Sequence, residues 1–267
     1  MTTAMFLTRL RRIPKAKNST AFVFYATDEA YAIAVLVFVH LLRDLGIRND
    51  VDLLLLHLPL SAPIMEKFQR LGIKTRLVKG FYGARNKYYQ HCYVKLRLFE
   101  RAEYDRVLFA DADAIPLCSL DHLLSLPITA PIAAPPAYWL PQPFWTSALL
   151  LARPSRASWK RIAPHIRTAR QTGVYDMDIL NREFAREIES LPPTAFCLNS
   201  EWEDTSRPGY FIDPEQAYRN VSVVHFSALG KPWMYSTSEA KRLKPNAHPL
   251  FFELWDRWRS TRDRILH

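Results

Sequence analysis

Two carboxylates two residues apart, Asp111 and Asp113, follow the apolar run Arg106 to Ala110 (RVLFA). That run reads as a buried strand, and in extended backbone residues i and i+2 point the same way. Both acids can then face one hard cation, and oxygen ligands of this kind suit Mg²⁺ or Mn²⁺ shared with a substrate phosphate. More than a hundred residues later, Val221 to Phe226 reads as a second strand whose end carries His225, followed by Gly230-Lys231-Pro232-Trp233. A neutral imidazole there could be a third ligand. Lys231 could neutralise a phosphate, with Gly230 allowing close backbone approach. Each of these also has a bland reading: an acidic turn, a satisfied structural histidine, a packed tryptophan. Asp176-Met177-Asp178 opens a helical pattern, where first-turn acids usually serve the cap and dipole. Thr27-Asp28-Glu29-Ala30-Tyr31 follows the first strand, and Tyr31 could stack on a base or simply pack.

The elements that must position these residues alternate between strand and helix. Ala21 to Ala26, Val51 to His57, Lys74 to Val78, Arg106 to Ala110, Thr146 to Ala152 and Val221 to Phe226 read as strands. Helices are expected after Asp28 (ended by Gly46), from Ser61 to Gly72, and over Tyr93 to Arg101, Ser155 to Arg170, Asp176 to Ile188 and 248 to 265. The six prolines between Pro127 and Pro143 predict an extended surface crossing. Such alternation argues for an α/β domain with a mostly parallel sheet. Ligands then bind beyond the carboxyl ends of its strands, which is where Thr27 and Asp111 fall.

Of the 267 residues, 49% are hydrophobic and 23% charged, which excludes disordered, collagen-like and coiled-coil chains. Lys and Arg number 36 against 26 Asp and Glu, a formal charge of +10 that favours an anionic partner without choosing one. With only seven glycines, the chain carries no GxGxxG and no P-loop. Cys92, Cys118 and Cys197 are too dispersed for a cysteine-rich zinc site or a disulfide framework. The longest apolar runs fall short of the roughly 18 residues of a spanning helix. Residues 1–20 form a basic arm and 21–267 a single domain. A cytoplasmic location is expected, with membrane-surface contact through the arm as the alternative.

In this order the motifs resemble those of glycosyltransferase family 8, the retaining GT-A group that includes glycogenin. Phe22 to Tyr31 is similar to its uridine-binding start, Asp111-Ala112-Asp113 to its D-x-D metal motif, and His225 to Trp233 (HFSALGKPW) to its His-x-x-Gly-x-x-Lys-Pro-Trp. Lys95, sixteen residues before Asp111, falls where the family has a nucleotide-sugar lysine, and Asp176 where it has an Asp-Gln pair near the donor sugar. The forms of the last two motifs are most similar to fungal N-acetylglucosaminyltransferase-type members.

The resemblance implies a Rossmann-like GT-A domain and a UDP-sugar donor: UDP-glucose, UDP-N-acetylglucosamine or UDP-galactose. It assigns Asp111, Asp113 and His225 to Mn²⁺ or Mg²⁺. Thr27, Asp28, Tyr31, Lys95, Ala112, Gly230 and Lys231 go to the nucleotide-sugar, and Asp176 and Lys231 to catalysis. The chain departs from the family where Thr146-Ser147-Ala148 replaces Asn-Ser-Gly, Met177 replaces Gln, and the glycine directly precedes Lys231. The acceptor, whether carbohydrate, lipid or protein, carries no motif. Tyr138, Trp139, Phe144, Trp145, Trp202 and Tyr210 could form a sugar-stacking surface or core. A homodimer is compatible with the sequence. The competing readings are a degenerate UDP-sugar-binding protein and a basic nucleic-acid-binding protein. The second lacks any helix-turn-helix, RRM or zinc-finger pattern.

Overall fold

The structure is a computed structural model describing residues 19–81, 91–207, 209–211 and 213–266. Most of the basic arm lies outside the described residues. The first strand, β1 (Thr20–Ala26), is apolar on both faces. Phe22, Phe24 and Ala26 enter one core cluster, while Ala21, Val23 and Tyr25 enter another. A strand apolar on both faces belongs inside a covered sheet. It feeds α1 (Glu29–Asp44), capped by the Asp28 side chain accepting from Tyr31 N at 3.0 Å. Then come β2 (Val51–His57), α2 (Ala62–Arg70) and β3 (Lys74–Leu77). The helix expected over Tyr93 to Arg101 is present as a 3-10 helix, Tyr93–Glu100.

After it come β4 (Arg106–Ala110), β5 (Ala114–Pro116), the single turn α3 (Asp121–Leu124), β6 (Ile132–Ala134) and β7 (Leu149–Ala152). The second half continues with α4 (Arg156–Thr172), α5 (Asp176–Phe184), β8 (Ile188–Ser190), β9 (Phe196–Leu198), α6 (Pro214–Asn220) and β10 (Val223–His225). Two helices, α7 (Thr237–Leu243) and α8 (Pro249–Leu266), complete it.

The central sheet has seven strands in the order β3-β2-β1-β4-β7-β6-β8. Pairings β1/β2, β1/β4, β2/β3 and β6/β8 are parallel; β4/β7 and β6/β7 are antiparallel. Helices α1 and α8 pack together against one face, while the 3-10 segment, α4 and α5 cover the other.

Three expectations are corrected. The proline-rich stretch is no mere crossing, because Ile132–Ala134 is a fully buried strand inserted between prolines 131 and 135. The helix from Asp176 stops at Phe184, and Ile188 instead begins a strand beside β6. The strand from Thr146 is regular only from Leu149.

A second sheet, in the order β5-β10-β9, was not legible as a unit. Its strands have three residues each and come from distant parts of the chain. It is this sheet that brings the second half of the sequence to the end of β4.

Candidate active site

The D-x-D triplet is a turn between β4 and β5, not a continuation of the strand. Asp111 N donates to Ala148 O at 2.9 Å, which ties the turn to the approach of β7. Ala112 is fully buried, so its methyl belongs to the core. Immediately beyond Asp113, β5 pairs antiparallel with β10, setting Ala114 opposite His225. Phe226 N donates to Asp113 O at 2.9 Å. This short ladder is what brings His225 to the acids across more than a hundred residues of sequence.

Asp111, Asp113 and His225 each offer one ligand atom within 4.8 Å of the others. His225 Nε2 lies 3.2 Å from Asp113 Oδ1. His225 Nδ1 is buried with no hydrogen-bond partner among the described residues. Asp111 Oδ2 accepts a hydrogen bond from Lys95 Nζ at 2.9 Å. Asp111 Oδ1, 2.8 Å from the same nitrogen, is in ionic contact but receives no directed bond. Two carboxylates and an imidazole meeting within 4.8 Å, with the buried Asp111 Oδ1 and His225 Nδ1 left without a hydrogen bond, are a donor set that fits Mn²⁺ or Mg²⁺, the imidazole leaning towards the former.

Lys95 ties this group to Asp176. Its ammonium is buried and lies 3.1 Å from Asp176 Oδ2 as well as beside Asp111. The Tyr25 and Phe109 rings each lie 5.6 Å away. Burial alone would draw its pKa down, but the Asp111 and Asp176 carboxylates outweigh burial and hold it above the usual lysine value.

The two acids of the motif diverge. Burial pushes Asp111 up to about 6, partly offset by Lys95. Burial works the same way on Asp113, but His225 and Lys231 overcome it and hold that carboxyl well below the ordinary range. Lys231 Nζ sits 2.6 Å from Asp113 Oδ2 and also donates to Phe226 O.

Asp176 does not serve its helix as a cap. Tyr175 N is bound by Asp178 Oδ2 at 2.9 Å, whereas Asp176 turns inward and accepts from Ser147 Oγ at 2.6 Å. The structure therefore gathers Lys95, Asp111, Asp113, Asp176, His225 and Lys231 into one chain of charges at the carboxyl end of β4.

The remaining candidates stand around it. Asp28 is exposed and caps α1. Thr27 is half-buried at the end of β1. Tyr31 is half-buried, with its ring edge-on to Trp233 at 5.3 Å, so the first and last motifs touch. Gly230 has φ +74°, directly after Leu229 at +59°. The left-handed turn thus falls at 229–230, and a Cβ on Gly230 would meet Met234 Sδ at 3.0 Å.

Three polar residues that build the site were not among the candidates the sequence offered. Ser147 orients Asp176. Asn181 fixes Trp145, just before Ser147, by accepting from its N–H at 2.9 Å and donating to its carbonyl at 2.8 Å. Asn199, fully buried, accepts from Ser227 N and Ala228 N at 2.8 Å each, holding the loop between His225 and Lys231. A cue was available only for Ser147, which keeps the serine of the Asn-Ser-Gly pattern. Of the six candidate stacking aromatics, Trp202 is core, whereas Tyr138, Trp139 and Tyr210 line a cleft. A larger cleft, about 1,030 Å³, opens at the amino ends of β1 and β4, away from the carboxylates.

No protein-family model matches the chain. It is 29% identical over 254 residues to glucose N-acetyltransferase 1 of Aspergillus fumigatus, covering 82% of this chain and 66% of that one. It is 25% identical to glycogenin-1 of Caenorhabditis elegans, covering 80% and 51%. The galactosyltransferase LgtC, solved with donor and acceptor sugar analogues, superposes with a TM-score of 0.63 at 18% identity, covering 90% and 99%. The fold is that of the GT-A glycosyltransferases, with acids at the end of its central strand. The similarity to glycogenin-1 and to glucose N-acetyltransferase 1 is in keeping with the resemblance of the motifs to family 8. It spans about two thirds or less of the length of the curated relatives it matches.

Proposed function

We propose that the chain transfers a hexose or N-acetylhexosamine from a UDP-sugar to an acceptor hydroxyl, with retention at the anomeric carbon and with Mn²⁺ or Mg²⁺ bound. The observation that carries this is the meeting of Asp111, Asp113 and His225 within 4.8 Å, beside Lys231. The leaving group of such a transfer is a diphosphate whose charge grows as the glycosidic bond breaks. A divalent ion on the three ligands would act there as a Lewis acid.

The chain's own groups divide the rest. Lys231, now held by Asp113, is placed to share its charge with the diphosphate. Lys95 keeps Asp111 and Asp176 paired with positive charge in a buried site, where a lone carboxylate would be costly. Asp176, aimed by Ser147, presents a carboxylate to the donor sugar near its reacting carbon. The bond from that carbon to the UDP oxygen breaks, the bond to the acceptor oxygen forms on the same face, and the acceptor proton passes to the departing diphosphate. Thr27, Asp28 and Tyr31 lie where the uridine would be held, with Gly230 giving backbone access.

The test is UDP release from UDP-glucose, UDP-N-acetylglucosamine and UDP-galactose, with Mn²⁺ and with EDTA. Release from at least one donor that EDTA abolishes is expected. Release from none, with Mn²⁺–UDP still binding, would reduce the chain to a UDP-sugar-binding protein. Neither release nor binding would end the reading.

A further inference from the structure

One cleft beside the site is lined with the kind of side chain that proteins seldom leave in water. Exposed large hydrophobic side chains are few among the described residues, and three of the seven surround this cleft. They are Trp139 (36% exposed), Tyr210 (56%) and Leu243 (53%). The cleft measures about 670 Å³, inside the range of roughly 300–1,000 Å³ typical of small-molecule sites.

The aromatic wall is built rather than incidental. The Tyr138 ring stacks on Tyr210 at 4.3 Å with 29° between planes, and Trp139 meets Tyr138 edge-on at 5.2 Å. Tyr138 Oη accepts from Leu198 N at 3.0 Å. Glu201 Oε2 accepts from Tyr210 N at 2.8 Å. Each of the two stacked tyrosines is thus tethered to its own partner, Tyr138 through its hydroxyl and Tyr210 through its backbone, so the platform pays little ordering entropy when a ligand arrives.

The location follows from sheet register. His225 pairs with Ala114 on one side and with Leu198 on the other. Leu198 is the residue whose N–H holds Tyr138. Two strand spacings of about 4.8 Å put the inner wall of the cleft roughly 10 Å from the strand that follows Asp113. Side chains bridge the same gap, Trp139 to Phe196 at 6.1 Å and Phe196 to His225 at 6.0 Å. The platform and the metal-ligating cluster are thus separated by the single buried ring of Phe196.

Charge narrows the ligand class. The whole chain carries +10, yet the cleft is lined by three acids (Glu201, Glu203, Asp204) against two bases (Arg207, Lys244). Both bases are already paired, Lys244 with Glu203 and Arg207 with Asp204 at 3.4 Å. A polyanion or an anionic lipid surface would find no excess positive charge here. A pyranose offers what the cleft complements, a C–H face for the rings and hydroxyls for the carboxylate and amide rim, which includes Asn246.

We infer that this cleft binds the carbohydrate part of the acceptor, a neutral oligosaccharide, with Trp139 and Tyr210 as its stacking platform. The word acceptor rests on the transferase reading above; saccharide binding does not. Saturation-transfer NMR on the full chain, with maltose, cellobiose, lactose and methyl α-mannoside as probes, tests it. Mn²⁺–UDP binding is measured by calorimetry on the same samples. At least one saccharide should bind, and its affinity should fall tenfold or more in Tyr210→Ala and in Trp139→Ala. Mn²⁺–UDP affinity and melting temperature should hold in Tyr210→Ala, whose side chain is already largely in solvent. Failure of every saccharide to bind would overturn the ligand class. Unchanged binding in both variants would overturn the location. Saccharide binding without Mn²⁺–UDP binding in the unaltered chain would sink the transferase reading and leave the carbohydrate cleft standing.

Discussion

Lys95 sits at 4% exposure between two carboxylates. Removing one partner of a buried ion pair typically costs about 3–5 kcal/mol, because the remaining charge is stranded. Here the lysine has two partners, so losing one leaves it paired. That makes Asp176 testable without dismantling the site. Asp178 already supplies the helix cap, so Asp176→Asn leaves the cap untouched, and Lys95 retains Asp111. The variant should stay folded and bind Mn²⁺–UDP nearly as before. Its turnover should fall on the order of a hundredfold or more, about 2.7 kcal/mol of barrier, because the lost interaction matters most as charge develops on the sugar. Steady-state UDP release together with calorimetry would check this. Near-normal turnover would make Asp176 only the second counter-ion of Lys95.

The elements divide into those whose pattern is self-contained and those defined by a partner. Strands β1 and β4 rest on unbroken apolar runs, β2 on one interrupted only by Asp52, and α1 announces itself with Asp28 before it and Gly46 after it. All four are where the sequence puts them. Strand β6 hides between prolines because three residues flanked by Pro131 and Pro135 show no periodicity; only burial beside β7 makes them a strand. In the second sheet only β10 was legible, inside Val221 to Phe226, since three-residue β5 and β9 carry no pattern of their own. The loop that follows β10 depends on one residue the sequence left unmarked. Asn199 accepts two backbone N–H groups, and each unsatisfied buried donor costs roughly 1–3 kcal/mol. Asn199→Leu should therefore destabilise the chain by about 3 kcal/mol in urea unfolding. Asn199→Asp, which keeps the acceptor oxygen, should lose clearly less. Equal losses would mean that packing at residue 199, and not its hold on Ser227 and Ala228, sets the cost.

At the scale of the molecule the candidate site lies on a seam. Asp111 follows a strand of the seven-stranded sheet, while His225 belongs to the three-stranded one, and the turn from β4 into β5 with the β5/β10 ladder sets them side by side. The residue types of the site were legible because D-x-D and His-to-Lys spacings are local. Their convergence was not, because it depends on pairing between segments more than a hundred residues apart. The acceptor side was illegible for a further reason: exposed and buried aromatics look alike in sequence, as Trp139 and Trp202 do. An ion held by both sheets should staple them together. A ligand that binds only the folded state stabilises it by about 2.7 kcal/mol at a hundred times its dissociation constant. At roughly 2–4 °C per kcal/mol for a chain of this order of size, Mn²⁺ with UDP should raise the melting temperature by about 5–10 °C. Each variant is compared with its own metal-free melt, so any loss of basal stability cancels. His225→Ala should shrink the rise to a small fraction, because the seam then loses its ligand from the second sheet. Tyr210→Ala should keep the full rise. If His225→Ala kept it as well, the ion would be bound by the Asp111–Asp113 turn alone and the two sheets would not share it.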